Sequence, residues 1–317
     1  MTVGGRVSGW RLPVVILLGS FVTACAGMGT DLTIQKSSVP PAVRLAAVPF
    51  YAQRKHQCGP AALAMVLQWS SVNVSPDQLA PVAFTPGLKG SLQSGLIAAA
   101  RRYGRLAYPV KGLQCVLEEV AAGRPVIVLQ NLGLRWLPRW HYAVVIGYDL
   151  DQQFVILHSG ESASRQVGLR TFINTWKRAE YWGLLTLPVN LMPRCVQEAP
   201  YLRAAWGLQL AGHTAAAIQA FENAVIRWPA SPAAYLALGN ACYADGAVQK
   251  AMDAFAHAVR IDPDNASGFN NLAHLLAESG NLAEAETMAR KAVSLGGPHL
   301  EVYRQTLNEI RQMRHRE

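Results

Sequence analysis

Cys58 stands in "RKHQCGPAALAMVLQW", directly before Gly59, Pro60 and a run of strong helix formers. Proline suits the first turn of a helix, where its missing amide hydrogen costs nothing. The spacing therefore predicts a helix starting at Cys58. A thiol there meets unpaired amides and the positive end of the helix dipole, both of which favour the thiolate. Arg54, Lys55 and His56 add positive potential beside it. A nucleophile of this kind needs a base. The candidate is His141, which opens the apolar run "HYAVVIGYD" and so sits at the mouth of an expected strand. Gln53, five residues before Cys58, carries an amide that can donate to a developing oxyanion together with the Cys58 backbone amide. Together these types imply attack of sulfur on a carbonyl carbon, with proton transfer through an imidazole.

The elements that must position these residues are readable on either side. "DQLA" and "LQSGLIAAARRYG" follow the first helix, the second beyond a Pro/Gly-rich loop, "VAFTPGLKGS". "VIVLQNL", "HYAVVIGYD" and "QFVILHSG" read as buried strands. A cysteine on an N-terminal helix followed by an antiparallel sheet carrying a histidine is the papain-like layout, an α+β class.

"VPFYAQRKHQCGPAALAMVL", with "HYAVVIGYD" downstream, resembles the bacteriocin-processing cysteine peptidases of family C39 and their stand-alone relatives, over roughly Val48 to Leu187. The resemblance implies Cys58 as nucleophile, His141 as base and Gln53 as oxyanion donor. The departure is at the third member. The family usually places an Asp, in an Asp-Pro pair, at the end of the strand after the histidine, whereas this chain has His158 and Ser159 there. Either can orient the imidazole, but neither supplies a carboxylate's charge. Asp149 and Asp151 fall in the turn "DLDQQ", too far along the sheet, and Glu161 is a further option. Exporter-linked members remove double-glycine leader peptides. Without transporter helices or a phosphate loop, this chain is expected to act separately from an exporter.

Residues 1–24 carry Arg6 and Arg11, no acid, and the apolar stretch "LPVVILLGSFVTA", the pattern of a secretory signal. The stretch ends in "VTAC", which resembles the lipobox of bacterial lipoproteins and implies acylation of Cys25. Ala26, in place of an aspartate, points to the outer membrane of a Gram-negative cell. The expected domains are a signal peptide (1–24), an acylated Cys25 with a tether (25–47), a papain-like domain (48–192) and a repeat domain (193–317).

That last region repeats itself every 34 residues. Tyr201, Tyr235, Phe269 and Tyr303 are in phase, as are Gly212, Gly246 and Gly280, and Ala217, Ala251 and Ala285. The period, and the unit "AYLALGNACYADGAVQKAMDAFAHAVRIDP", are similar to the tetratricopeptide (TPR) consensus. About three repeats and a capping helix are expected, forming an all-α solenoid with a concave face for a peptide or protein. "GLQLAGHT" mimics a phosphate loop, but His213 replaces the lysine, so no nucleotide site is read there.

Of 317 residues, 51% are apolar and 15% charged, enough apolar content for two cores. The net charge of +9 suits acidic surfaces such as anionic lipid or cell-wall polymers. Nucleic acid is not an expected partner, since no zinc-ligand cluster, RNA-binding aromatic signature or lysine block occurs; no cofactor or metal is implied. The five cysteines form neither a metal motif nor a dense disulfide framework, and one bridge, for instance Cys115 to Cys195, stays open. The leading functional expectation is an envelope-anchored cysteine peptidase with a peptide- or protein-binding repeat array. The alternatives are a degenerate peptidase fold that only binds, and a papain-like amidase acting on peptidoglycan peptides.

Overall fold

The computed structural model describes residues 38–53, 56–85, 87 and 90–316. The expected signal peptide and Cys25 lie outside the described residues. The first lobe runs β1 (Ala42–Arg44), α1 (Cys58–Trp69), α2 (Pro76–Ala83), α3 (Gln93–Arg102), β2 (Leu106–Val110), α4 (Leu113–Ala121), β3 (Val126–Asn131), β4 (Trp140–Asp149), β5 (Phe154–Ser159), β6 (Ser162–Gly168), α5 (Leu169–Lys177) and β7 (Gly183–Leu187). Its strands form one antiparallel sheet in the order β2-β7-β3-β4-β5-β6, with β1 paired to β4.

Every residue of α1 from Gly59 to Leu67 is buried. Such all-round burial explains why its run is apolar throughout and not amphipathic. Leu63, Met65 and Val66 share a core with Ile127 and Leu129 of β3 and with Val144 and Ile146 of β4. The alternate residues Val126, Val128, Ala143 and Val145 are also fully buried. Strands covered on both faces read as unbroken apolar runs, which is what the sequence shows. β1 lies inside the stretch expected as a tether. Its Val43 pairs with Tyr148, and Val39 and Val48 on either side are buried. Residues 42–44 therefore belong to the sheet and not to the expected tether, because pairing with β4 satisfies their backbone groups.

The second lobe is helical: α6 (Glu198–Leu210), α7 (Thr214–Arg227), α8 (Pro232–Ala244), α9 (Val248–Ile261), α10 (Ala266–Glu278), α11 (Leu282–Leu295) and α12 (Leu300–Arg314). Each α6–α11 pair turns at a glycine in the left-handed region, with φ of 84° at Gly212, 78° at Gly246 and 80° at Gly280. Ala217, Ala251 and Ala285 are completely buried, as are Ala224, Ala258 and Ala292. Small side chains at these in-phase positions let the paired helices approach closely. α12 caps the last pair, and its Arg311 and Arg314, with Arg290 of α11, bond Glu286.

The lobes are joined covalently. Cys115 of α4 and Cys195, just before α6, form a disulfide with a Cα–Cα distance of 5.6 Å. Around it, the Tyr108 hydroxyl donates to the Cys195 carbonyl at 3.3 Å and accepts from the Gln197 amide at 3.1 Å. Arg124 donates to the Met192 carbonyl at 2.6 Å and pairs with buried Glu119 at 3.0 Å. No helix among the described residues is long and apolar enough to cross a membrane.

Candidate functional site

Cys58 opens α1, as its place before Gly-Pro predicts. Gln57, the preceding residue, makes no side-chain cap, so the first amides of the helix stay open to another acceptor. Burial pushes the Cys58 thiol up from its ordinary value; the backbone amides of Tyr142, Gly59 and Cys58 pull it down, and burial prevails. The expectation of a dipole-stabilised thiolate is corrected here. The amides do act on the sulfur, but desolvation outweighs them, so the resting group is a thiol. His56, one of the three expected basic neighbours, is exposed, and Arg54 and Lys55 lie outside the described residues. Gly59 is required by close approach, because a Cβ there would collide with the Ser91 side chain. The Tyr142 hydroxyl donates to the Ser91 carbonyl at 3.1 Å and holds that loop over the helix start.

His141 lies at the first turn-proximal end of β4, opposite Gln130 of β3. Its Nε2 shares a hydrogen bond of 2.8 Å with the Ser159 hydroxyl of β5. With Nε2 protonated and donating to Oγ, Nδ1 is the nitrogen that can exchange a proton. Burial depresses the His141 pKa to about 4, and Arg165 and Arg139 add to the shift. The imidazole is thus neutral at neutral pH.

The two residues offered as third member separate. Side chains alternate along a strand, so neighbours such as His158 and Ser159 face opposite ways. His158 Nδ1 accepts from the Ser164 amide at 3.2 Å, and its Nε2 donates to the Val48 carbonyl at 3.1 Å. Both ring nitrogens are engaged and the ring rests on Phe50, at 5.2 Å between centroids, so His158 does not orient His141. Asp149 accepts from the amides of Asp151 and Gln152 and shapes the β4–β5 turn. Glu161 is exposed in the following turn.

Gln53 is 8% exposed and ties three segments together. Its Nε2 donates to the Tyr142 carbonyl at 3.0 Å, and its Oε1 accepts from the Gly160 amide at 2.9 Å. The Gln53 amide also donates to the Gly160 carbonyl at 2.9 Å. A carboxamide nitrogen carries two protons, so one remains for an oxyanion. Sequence reasoning missed Tyr142, Gly160, Arg139 and Arg165. Tyr142 and Gly160 adjoin flagged residues and Arg139 stands two before His141, whereas Arg165 becomes a neighbour only through strand register.

Among the described residues, the ligand atoms of Cys115, Glu119 and Cys195 converge within 4.8 Å. The disulfide consumes both thiols, and Arg124 and the Arg194 amide engage Glu119, so this set does not fit a resident cation. In the repeats, a cavity of about 330 Å³ is lined by Ile218, Glu222, Cys242, Asp245 and Lys250 among others.

Comparison with known proteins divides the chain in the same way. Residues 45–183 match the peptidase C39-like family, and residues 202–266 and 254–287 match tetratricopeptide repeats. No curated protein matches the chain. Among solved structures, a putative C39-like peptidase from Bacillus anthracis is similar at 20% identity and a TM-score of 0.41, covering 47% of this chain and 98% of its own. The Yersinia enterocolitica type III secretion chaperone SycD, in complex with a peptide of the translocator YopD, is similar at 20% identity and a TM-score of 0.35, covering 37% of this chain and 93% of its own. A type III secretion complex from Aeromonas hydrophila gives 20% identity and a TM-score of 0.36, covering 38% and 83%. The chain carries a peptidase C39-like domain, a mixed antiparallel sheet with helices, followed by TPR repeats.

Proposed function

We propose that this chain, a peptidase C39-like domain followed by TPR repeats, is a cysteine peptidase. Cys58 is its nucleophile, His141 its base, Gln53 its oxyanion donor and Ser159 its orienting residue. The observation that carries this reading is the pairing of His141 Nε2 with Ser159 Oγ at 2.8 Å, on the strand whose next amide, that of Tyr142, acts on the Cys58 thiol. The pair starts neutral, so the thiol proton passes to His141 Nδ1 as the sulfur attacks the scissile carbonyl carbon. The carbonyl π electrons move onto oxygen, where the Cys58 amide and the second Gln53 Nε2 proton meet the charge. Collapse of this adduct breaks the C–N bond, and His141 returns its proton to the leaving amine. His141 then deprotonates a water that cleaves the thioester, releasing the acid and restoring the thiol.

In this reading the repeats hold a peptide or protein partner, and acylated Cys25 anchors the chain in the cell envelope, at the outer membrane. The Cys115–Cys195 disulfide supports export, since such bonds persist in oxidising compartments. A second reading, a peptidase fold that binds without cleaving, draws on the neutral Cys–His pair and the missing carboxylate. Incubation of the full chain with a mixture of peptides, with products read by mass spectrometry, separates the two. New fragments from the wild type, absent with Cys58→Ala, are expected. Identical product patterns from both proteins would overturn the peptidase reading.

A further inference from the structure

The connection between β3 and β4 is built to hold apolar side chains in the open. The ladder closes at the Asn131–Trp140 pair, and the hairpin continues beyond it. The Leu132 amide donates to the Arg139 carbonyl at 2.9 Å, and Leu134 and Leu137 exchange amide bonds of 3.1 and 3.2 Å at the tip. Asn131 Oδ1 accepts from the amides of Gly133 and Arg139, both at 2.9 Å. Arg178 donates to the carbonyls of Gly133, at 2.6 Å, and Asn131, at 3.3 Å. This bonding fixes the backbone, yet Leu134 is 53% exposed, Trp136 78%, Leu137 60% and Trp140 54%. Arg135 and Arg139 are interleaved with them, and no acidic residue occurs between 126 and 148.

We propose that this hairpin seats in the headgroup layer of an anionic bilayer. Tryptophan, with an apolar body and a polar tip, concentrates at that depth, leucine fills the acyl boundary beneath it, and arginine meets lipid phosphate. A peptide ligand would call for a groove, whereas these side chains project from a protruding tip. The cationic, acid-free composition selects anionic lipid over a second copy of this chain, whose own hairpin would carry the same charge. Because His141 directly follows Trp140, seating the hairpin brings the mouth of the Cys58 and His141 region to the lipid surface. The contact stands independently of peptidase activity and of acylation at Cys25.

The test is tryptophan quenching by brominated phosphatidylcholine in vesicles with and without phosphatidylglycerol. It uses the full chain as wild type, Trp136→Phe and Trp140→Phe. The other six tryptophans, the exposed Trp206 among them, are common to all three proteins, so differences between them report the hairpin alone. Both substitutions are at exposed side chains and leave the fold intact. Trp136 should lose about half or more of its emission at the anionic bilayer, so that the Trp136→Phe protein is quenched measurably less than the wild type. The difference should shrink on neutral vesicles, and again in about 1 M salt, where screening acts within about 3 Å. Equal quenching of all three proteins overturns the proposal. It is equally overturned if quenching is unchanged while the variants raise KM for a peptide or abolish a dimer, since the hairpin would then belong to a substrate or a second copy.

Discussion

In the repeat array each structural position is specified several times over, whereas each residue around Cys58 occurs once. Ala217, Ala251 and Ala285 do one job in three places, and the turn glycines do another. An error there damages one helix pair and its neighbours. In the first lobe, among the described residues, a single Gln53 side chain joins Tyr142 to Gly160, and a single hydroxyl, that of Ser159, bonds His141. In the array, the arginines around Glu286 set its pKa although its side chain is only 8% exposed. At Cys58 and His141 of the first lobe, burial shifts the pKa more strongly than any neighbour does. Redundancy makes a region robust and legible; single-copy polar bonds make it sensitive and harder to read.

Substitutions should break the two regions differently. The largest effect is expected at Gln53→Ala, which removes both the oxyanion donor and the Tyr142–Gly160 link. It should lower kcat by about 10²–10³-fold, measured on whichever peptide the wild type cleaves. Next, Phe255→Ala opens a cavity in the middle repeat and should cost about 3–5 kcal/mol of array stability. Hydrogen exchange should report that loss in the helices of the array while the amides of β3 and β4 stay protected.

Ser159→Asp sharpens the contrast from the other side. A carboxylate beside the imidazolium should raise the His141 pKa from about 4 by about 1–3 units, read by NMR titration of the ring. The sign also governs stability. An unfolded imidazole protonates near pH 6.5 while the folded one resists, so stability is full above about 6.5 and falls between 6.5 and 4. Ser159→Asp should flatten that slope. The smallest effect concerns Glu286, whose hydrogen bonds from Arg311, Arg290 and Arg314 hold its carboxyl down at about 2. Its contribution is present above the unfolded carboxyl value of about 4.3 and is lost as pH falls toward 2. Proteolysis of α12 should therefore accelerate in that window for the wild type, and Glu286→Gln should remove the pH dependence.

The array was legible because a 34-residue period repeats the same physical requirement until coincidence fails as an explanation. The central strands were legible as apolar runs, and Cys58, His141 and Gln53 as residue types in suggestive places. What escaped depends on register and burial. His158 and Ser159 are adjacent in sequence, and only the strand's alternation shows that Ser159 reaches His141. Arg165 bears on His141 from β6, a strand two places away in the sheet, which no local pattern signals. The helix dipole at Cys58 was visible in the sequence, but the desolvation that outweighs it was not. β1 was hidden for a related reason, since "AVR" gains its meaning only opposite Gly147, Tyr148 and Asp149.

The most direct test of the account is the alkylation rate of Cys58 by iodoacetamide across pH, followed by mass spectrometry of the peptide that carries it. It is compared between the full chain and His141→Ala. The account predicts that near pH 7 the wild type reacts at least about tenfold faster, because only it can pass the thiol proton to an imidazole. It also predicts a rate still rising above the ordinary thiol pKa of about 8.5, because burial raises that of Cys58. Equal rates in the two proteins at every pH would contradict the claim that Cys58 and His141 act as one unit.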